Sequence, residues 1–182
     1  MENNRILNTK DMVLTGLMIA LIWIAGSIIK IPTFGGFVQM GDCMVFLSVV
    51  ILGKKRGAAA SAIGMFLVDA LAGYYLWAPF TFLIKGIMAY IAGSILEKMS
   101  EHKYFTKHIM AFVIGGIFMV IGYFVAGIII DGFLTDKVGL FQGLIYSSKD
   151  IIGNVIQVTT GIIIALVIGA VVIRAKDATI TN

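Results

Sequence analysis

An all-α integral-membrane bundle of six transmembrane helices, with both termini in the cytoplasm, is the fold class this sequence predicts. Three observations predict it. The 182 residues are 59% hydrophobic and only 13% charged, with a mean hydropathy of +1.00, which excludes an ordinary soluble domain. Charge-free runs at 12–29, 109–130 and 151–173 are each long enough to cross a hydrocarbon core of ~30 Å as a helix. Finally, the basic residues sort by side once six spans are drawn. Arg5, Lys10, Lys54, Lys55, Arg56, Lys98, Lys103, Lys107, Arg174 and Lys176 fall on the side of the termini, and Lys30, Lys137 and Lys149 on the other. The richer side is cytoplasmic by the positive-inside rule. The net charge of +4 therefore orients the chain, and nucleic-acid binding need not be invoked.

In order, the first helix spans about 11–30 and reads as retained rather than as a cleaved signal, since no small-x-small site follows it. The loop IPTFGGFVQMGD is too apolar for a solvated linker and should fold back over the helices. A short helix at 42–53 runs to KKRG and is expected to be partly shielded by protein. The third helix, 57–72, is rich in small residues (Ala58 to Ala62, Gly64) that let helices approach closely in lipid. After the aromatic loop GYYLWA, Pro79 sits at a favoured first-turn position and opens a helix over 79–96. The charged segment 97–108 leads to a helix at 108–130. The loop DGFLTDKVGLFQG precedes the last helix, 146–173. Residues 1–182 read as a single membrane domain.

Two ionisable residues, Asp69 and Lys85, lie inside otherwise apolar spans, where charge is costly and is kept for a function or a partner. They flank the short loop from Gly73 to Ala78 at similar depth, which suggests an ion pair. The pair either pins the third helix to the fourth or orients groups around a pocket. Asp42 reads as a lone acid, more often a cap than a catalyst. On the last helix Asp150, Asn154 and Gln157 share a face, and two buried amides serve either helix packing or recognition of a ligand's heteroatoms. Aromatic residues crowd all three external loops: Phe34 and Phe37, then Tyr74, Tyr75 and Trp77, then Phe133, Phe141 and Tyr146. They form either an interfacial belt or a stacking surface for a planar heterocycle. Gly16 and Ala20 make a small-xxx-small element, by spacing alone a packing motif.

The absences narrow the function. Cys43 is the only cysteine, so no internal disulfide forms, and no metal-ligand spacing exists. The chain has no GxxxxGK[ST], GxSxG or HExxH, so neither P-loop use of ATP nor an integral enzyme is expected. An ion-coupled carrier using Asp69, and an assembly protein with no ligand, stay open on the residues alone.

The segments IKIPTFGGFVQMGD, FLSVVILGKKRGAAASAIG, LVDALAGYYLWAPFTFLIKG and GNVIQ resemble the substrate-binding S components of energy-coupling factor (ECF) vitamin transporters. The resemblance covers nearly the whole chain, and residues 69–86 carry it most specifically. It implies a multi-pass protein of the bacterial cell membrane with an outward-facing vitamin pocket. The nearest branch handles hydroxymethylpyrimidine or pyridoxine compounds, and the riboflavin type is the alternative. It also implies a transmembrane T component, docked at Gly16 and Ala20, and two ATPase subunits that use ATP, so that this chain carries no cofactor. Glycine at 16 departs from the family's usual Ala-xxx-Ala, and Gln39 stands where many relatives have His. Tyr74, Tyr75, Trp77, Lys85, Asn154 and Gln157 fall in the regions that contact ligand in the family. With Asp69 and Lys85 paired, the pocket would favour a largely neutral heterocycle.

Overall fold

The computed structural model describes residues 8–28, 30–32, 37–135 and 139–180, apart from the side chains of 175–180. Phe34, Arg5 and Lys137, and the side chain of Lys176, lie outside the described residues. Within them the helices are α1 (Thr9–Ile28), α2 (Asp42–Leu52), α3 (Lys54–Leu71), α4 (Ala78–Lys98), α5 (Tyr104–Ile129) and α6 (Gly139–Ile180). Four segments are long and apolar enough to cross a membrane: α1, α4, α5 with its extension to Leu134, and α6 up to Arg174.

Several boundaries differ from the sequence reading, each for a local reason. KKRG is not a loop. Gly53, at φ 79°, is the single residue between α2 and α3, and Lys54, Lys55 and Arg56 are good helix formers that continue into α3. At 42 residues, α6 starts earlier than expected and is roughly 63 Å long at 1.5 Å per residue. A π-helical turn, Ile130–Leu134, extends α5, and Thr135 closes it by donating its backbone N–H to the Ile130 carbonyl at 3.1 Å. The fold is also not purely helical. The loop after α1 forms an antiparallel hairpin, β1 (Lys30–Pro32) with β2 (Phe37–Gln39), in the register Lys30 to Gln39 and Pro32 to Phe37.

The short helix α2 is the axis of the molecule. Its 11 residues reach only about 16 Å, too little to cross a bilayer alone. It packs against α1, α3, α4 and α6, and Val45, Phe46, Leu47, Ser48 and Val49 are all buried. Burial against lipid tails gains little for apolar side chains, so close packing and hydrogen bonds must hold such a bundle. Both are present. The Phe46 and Phe112 rings stack with centroids 4.4 Å apart. Ser48 Oγ donates to the Val45 carbonyl at 2.7 Å and lies 3.0 Å from Ser61 Oγ, tying α2 to α3. At Gly64 an added Cβ would sit 2.8 Å from Ile22 Cγ2, which is how α3 reaches α1. The outward faces carry the exposed apolar side chains, such as Leu17, Ile121 and Val167.

Candidate ligand pocket

The hairpin, the α3–α4 loop and the start of α6 meet over one end of α2, and a polar chain runs beneath them. Lys85, on the second turn of α4, is 0% exposed and forms a salt bridge with Asp42 Oδ1 at the first turn of α2, also 0% exposed. This corrects the expected partnership: Lys85 pairs with Asp42, not Asp69. Asp69 remains within electrostatic reach of Lys85 but forms no salt bridge among the described residues. Asp42 Oδ2 accepts from Gln157 Nε2 at 3.0 Å. Gln157 Oε1 in turn accepts the Gln39 backbone N–H at 3.0 Å. Gln39 Oε1 accepts the Gly41 N–H, and its side chain fits because Gly26 and Gly41 have no Cβ to meet it. One network therefore joins α4, α2, α6 and β2, and each buried charge or amide in it is satisfied, as burial requires.

Above this floor lies a pocket of about 630 Å³ of empty space, its open part included, bounded by Phe37, Val38, Gln39, Met65, Asp69, Tyr74, Trp77, Tyr123, Gly127, Ser147, Asp150, Asn154 and Gln157. Rings close it from two sides. Phe37 of β2 meets Tyr74 edge to face at 4.9 Å, and Trp77 lies 6.1 Å from Tyr123. The Tyr123 hydroxyl is 3.1 Å from Thr81 Oγ1, and Thr81 in turn neighbours the Asp69 carboxylate.

Of the site residues expected from sequence, Tyr74, Trp77, Asn154 and Gln157 come together at this pocket, with Asp69 in its wall. Tyr75 does not: it is 73% exposed and is not among the residues that bound the pocket. Lys85 does not line it either, being held below the floor by Asp42. Phe133 and Phe141 are exposed and stand away from it. The two amides differ in duty. Gln157 spends both ends within the protein, whereas the half-buried Asn154 makes no side-chain hydrogen bond among the described residues. Sequence reading passed over Tyr123, Ser147 and Met65 as pocket residues and Asp42 as the partner of Lys85. Tyr123 alone left a signal, a phenol inside an otherwise apolar span.

A family model described as ECF-type riboflavin transporter, S component, matches residues 6–174. Among curated proteins, the thiamine precursor transporter HmpT of Lactococcus lactis subsp. cremoris (strain MG1363) is 25% identical over 170 residues, 92% of this chain and 90% of that one. A Pyrococcus woesei sequence, "uncharacterized protein in gap 3'region", is 31% identical over 142 residues, 71% of this chain and 93% of its own length. The crystal structure of the S-component for biotin from an ECF-type ABC transporter superposes with a TM-score of 0.66 at 19% identity, covering 97% of this chain and 95% of that one. At that identity the likeness is one of fold.

Proposed function

Because the chain belongs to the family of ECF-type riboflavin transporter S components, integral membrane proteins that serve transport rather than catalysis, we propose that its pocket captures a small heterocyclic vitamin or vitamin precursor. Hydroxymethylpyrimidine or pyridoxine is the favoured cargo. The observation that carries this reading is the pocket itself, an aromatic-walled space over a fully satisfied polar floor. Ring stacking there and a few buried hydrogen bonds suit a planar, polar cargo. The likeness to a thiamine precursor transporter favours a pyrimidine over riboflavin.

In this reading all six helices form one membrane domain with cytoplasmic termini, and the pocket opens outward. ECF S components work with a T component and ATPase subunits. This chain would dock on its T component through Gly16 and Ala20 of α1, both exposed, and leave ATP to two partner subunits.

Titration of the purified protein with hydroxymethylpyrimidine, pyridoxine and riboflavin, read by Trp77 fluorescence or calorimetry, tests the proposal. Asn154→Ala should weaken binding of the true cargo about 10- to 100-fold, the worth of one buried hydrogen bond to a ligand, with no loss of thermal stability. Gln157→Ala should weaken binding and stability together, because it opens the floor. Wild-type affinity in both variants would remove the assignment. Native mass spectrometry of the protein with whatever it carries from the membrane identifies the cargo directly.

A further inference from the structure

A second cavity lies at the other end of α2, where α2 gives way to α3 and the end of α4, the start of α5 and the lower part of α6 meet. It holds about 560 Å³ of empty space, its open part included. Its polar side carries Lys54, Lys107 and His108, with Glu97 as the one acid among the described lining residues. Lys54 and Glu97 form a salt bridge at 2.6 Å, so their charges cancel. Lys107 has no salt bridge among the described residues and makes one long hydrogen bond, 3.4 Å to the Ser100 carbonyl. Its charge is left over. The start of α3 adds to it. No side chain caps this helix, and its first backbone bond runs from the Gly57 N–H to the Gly53 carbonyl at 2.8 Å. The Lys54 N–H therefore lacks an acceptor among the described residues and presents the positive end of the helix dipole. Gly93 brings α4 onto that start, since a Cβ there would lie 2.7 Å from Lys54 Cα. His108 points to a ligand independently. It is 3% exposed, and its ring lines the cavity. Its Nδ1 lies 2.7 Å from the Tyr104 carbonyl. That oxygen can only accept, so Nδ1 carries the hydrogen and Nε2 of the neutral ring is an acceptor. Nε2 has no hydrogen-bond partner among the described residues and is not sealed in the core, so it opens on the cavity. A buried acceptor left this way asks for a donor. The rest of the wall includes Val50, Leu96 and Ile173, apolar and each half-buried.

We propose that this cavity seats the headgroup of an anionic phospholipid that carries a free hydroxyl, as phosphatidylglycerol does. The phosphodiester faces Lys107 and the start of α3, the headgroup hydroxyl donates to His108 Nε2, and the glycerol backbone and first acyl carbons run against Val50, Leu96 and Ile173. The Glu97 side chain is 57% exposed, and a pair that open is weakly held, so Lys54 can turn from Glu97 to the phosphate. A basic pocket between transmembrane helices at the depth of the headgroups is where such lipids bind. Inorganic phosphate would answer the charge but leave the apolar wall uncovered, so a lipid is the better fit. The inference is independent of the vitamin pocket and of its cargo.

The test titrates the purified full chain, in neutral detergent and without cargo, with dioleoyl phosphatidylglycerol, dioleoyl phosphatidylmethanol and dioleoyl phosphatidylcholine, read as lipid adducts by native mass spectrometry. Phosphatidylglycerol should bind at least about 10-fold more tightly than phosphatidylmethanol, which has the same charge and chains but no headgroup hydroxyl, and more tightly still than the zwitterionic phosphatidylcholine. Lys107→Gln should lower affinity for phosphatidylglycerol about 10-fold, the worth of one charge-assisted hydrogen bond. Lys103→Gln, a neighbouring exposed lysine outside the cavity, should leave it unchanged. His108→Phe should bring phosphatidylglycerol and phosphatidylmethanol to within about twofold of each other. That change is in a ratio of two affinities, which general misfolding does not produce. Inorganic phosphate should not displace the lipid. Equal binding of phosphatidylglycerol and phosphatidylcholine, or of phosphatidylglycerol and phosphatidylmethanol, would overturn the proposal, as would no lipid adduct at all. An equal loss in Lys103→Gln would mean a diffuse basic surface in place of a site, and displacement by inorganic phosphate would mean an anion site that is not built for lipid; either result overturns it too.

Discussion

Lys85 shows how a single buried cation organises this molecule. An ammonium group with 0% exposure is tolerable only beside a carboxylate whose remaining lone pairs are also satisfied. Asp42 meets both conditions, because one oxygen takes Lys85 and the other takes Gln157 at 3.0 Å. Removing one charge is therefore worse than removing both. Asp42→Asn should cost about 3–5 kcal/mol of stability by stranding the ammonium, whereas Asp42→Asn combined with Lys85→Met should recover much of that loss. Thermal unfolding of the three proteins in one detergent measures it; a double variant no more stable than Asp42→Asn would show that the loss does not come from a stranded ammonium. The pairing itself was not legible. Asp69 and Lys85 are close in sequence and in depth, which made them natural partners, while Asp42 lies 43 residues from Lys85 and reaches it only because α2 is enclosed by its neighbours. Asn154 and Gln157 were legible, since helical spacing alone puts them on one face.

At the scale of elements, the site depends on how closely α6 approaches the first turn of α2, and one glycine sets that distance. A Cβ at Gly161 would lie 2.8 Å from Asp42 Cβ and 3.2 Å from the backbone at Asp42 and Cys43. Those atoms belong to a buried helix start and cannot rotate away. Gly161→Ala should cost about 1–3 kcal/mol through overpacking and should weaken cargo binding as well, because Asp42 carries the floor. Gly16→Ala is the control: nothing lies within 4 Å of a Cβ there, and alanine is the better residue in a helix, so stability should hold or rise slightly. Equal melting temperatures for the two variants would contradict this account of the α2–α6 contact. Helix existence and rough extent followed from apolar run length, which governs membrane segments strongly. The hairpin did not, because its strands are three residues each and carry no periodicity to read; only its apolar composition hinted that it would lie over the helices. The length of α6 was hidden as well, because glycines and a lysine–aspartate pair near its start look like loop residues until packing against the π-helical turn and α5 holds them in a helix.

Seen as a whole molecule, the pocket and the proposed docking face lie on separate elements, which lets binding and transport be tested apart. None of the pocket residues comes from α1. The face of α1 that carries Met12, Val13 and Leu17 is more than half exposed at each, and Gly16 and Ala20 sit in this stretch as exposed small residues. Small residues at such spacing let another helix approach backbone to backbone. A Cβ at position 16 would have no atom of the described residues within 4 Å, so a larger side chain there is expected to act chiefly in contact with a partner. In cells that also make the T component and the ATPases, Gly16→Leu and Ala20→Leu should abolish uptake of the cargo, and the T component should no longer copurify with the chain. Affinity of the isolated variants for that cargo should stay within about twofold of wild type, because the hydrogen bonds and rings that hold it lie elsewhere. Uptake that survives both substitutions would place the docking face on another helix while leaving the pocket's assignment intact. Loss of binding along with uptake would instead mean that α1 supports the pocket through its contacts with α3, where Ile22 and Gly64 already meet as closely as their atoms allow.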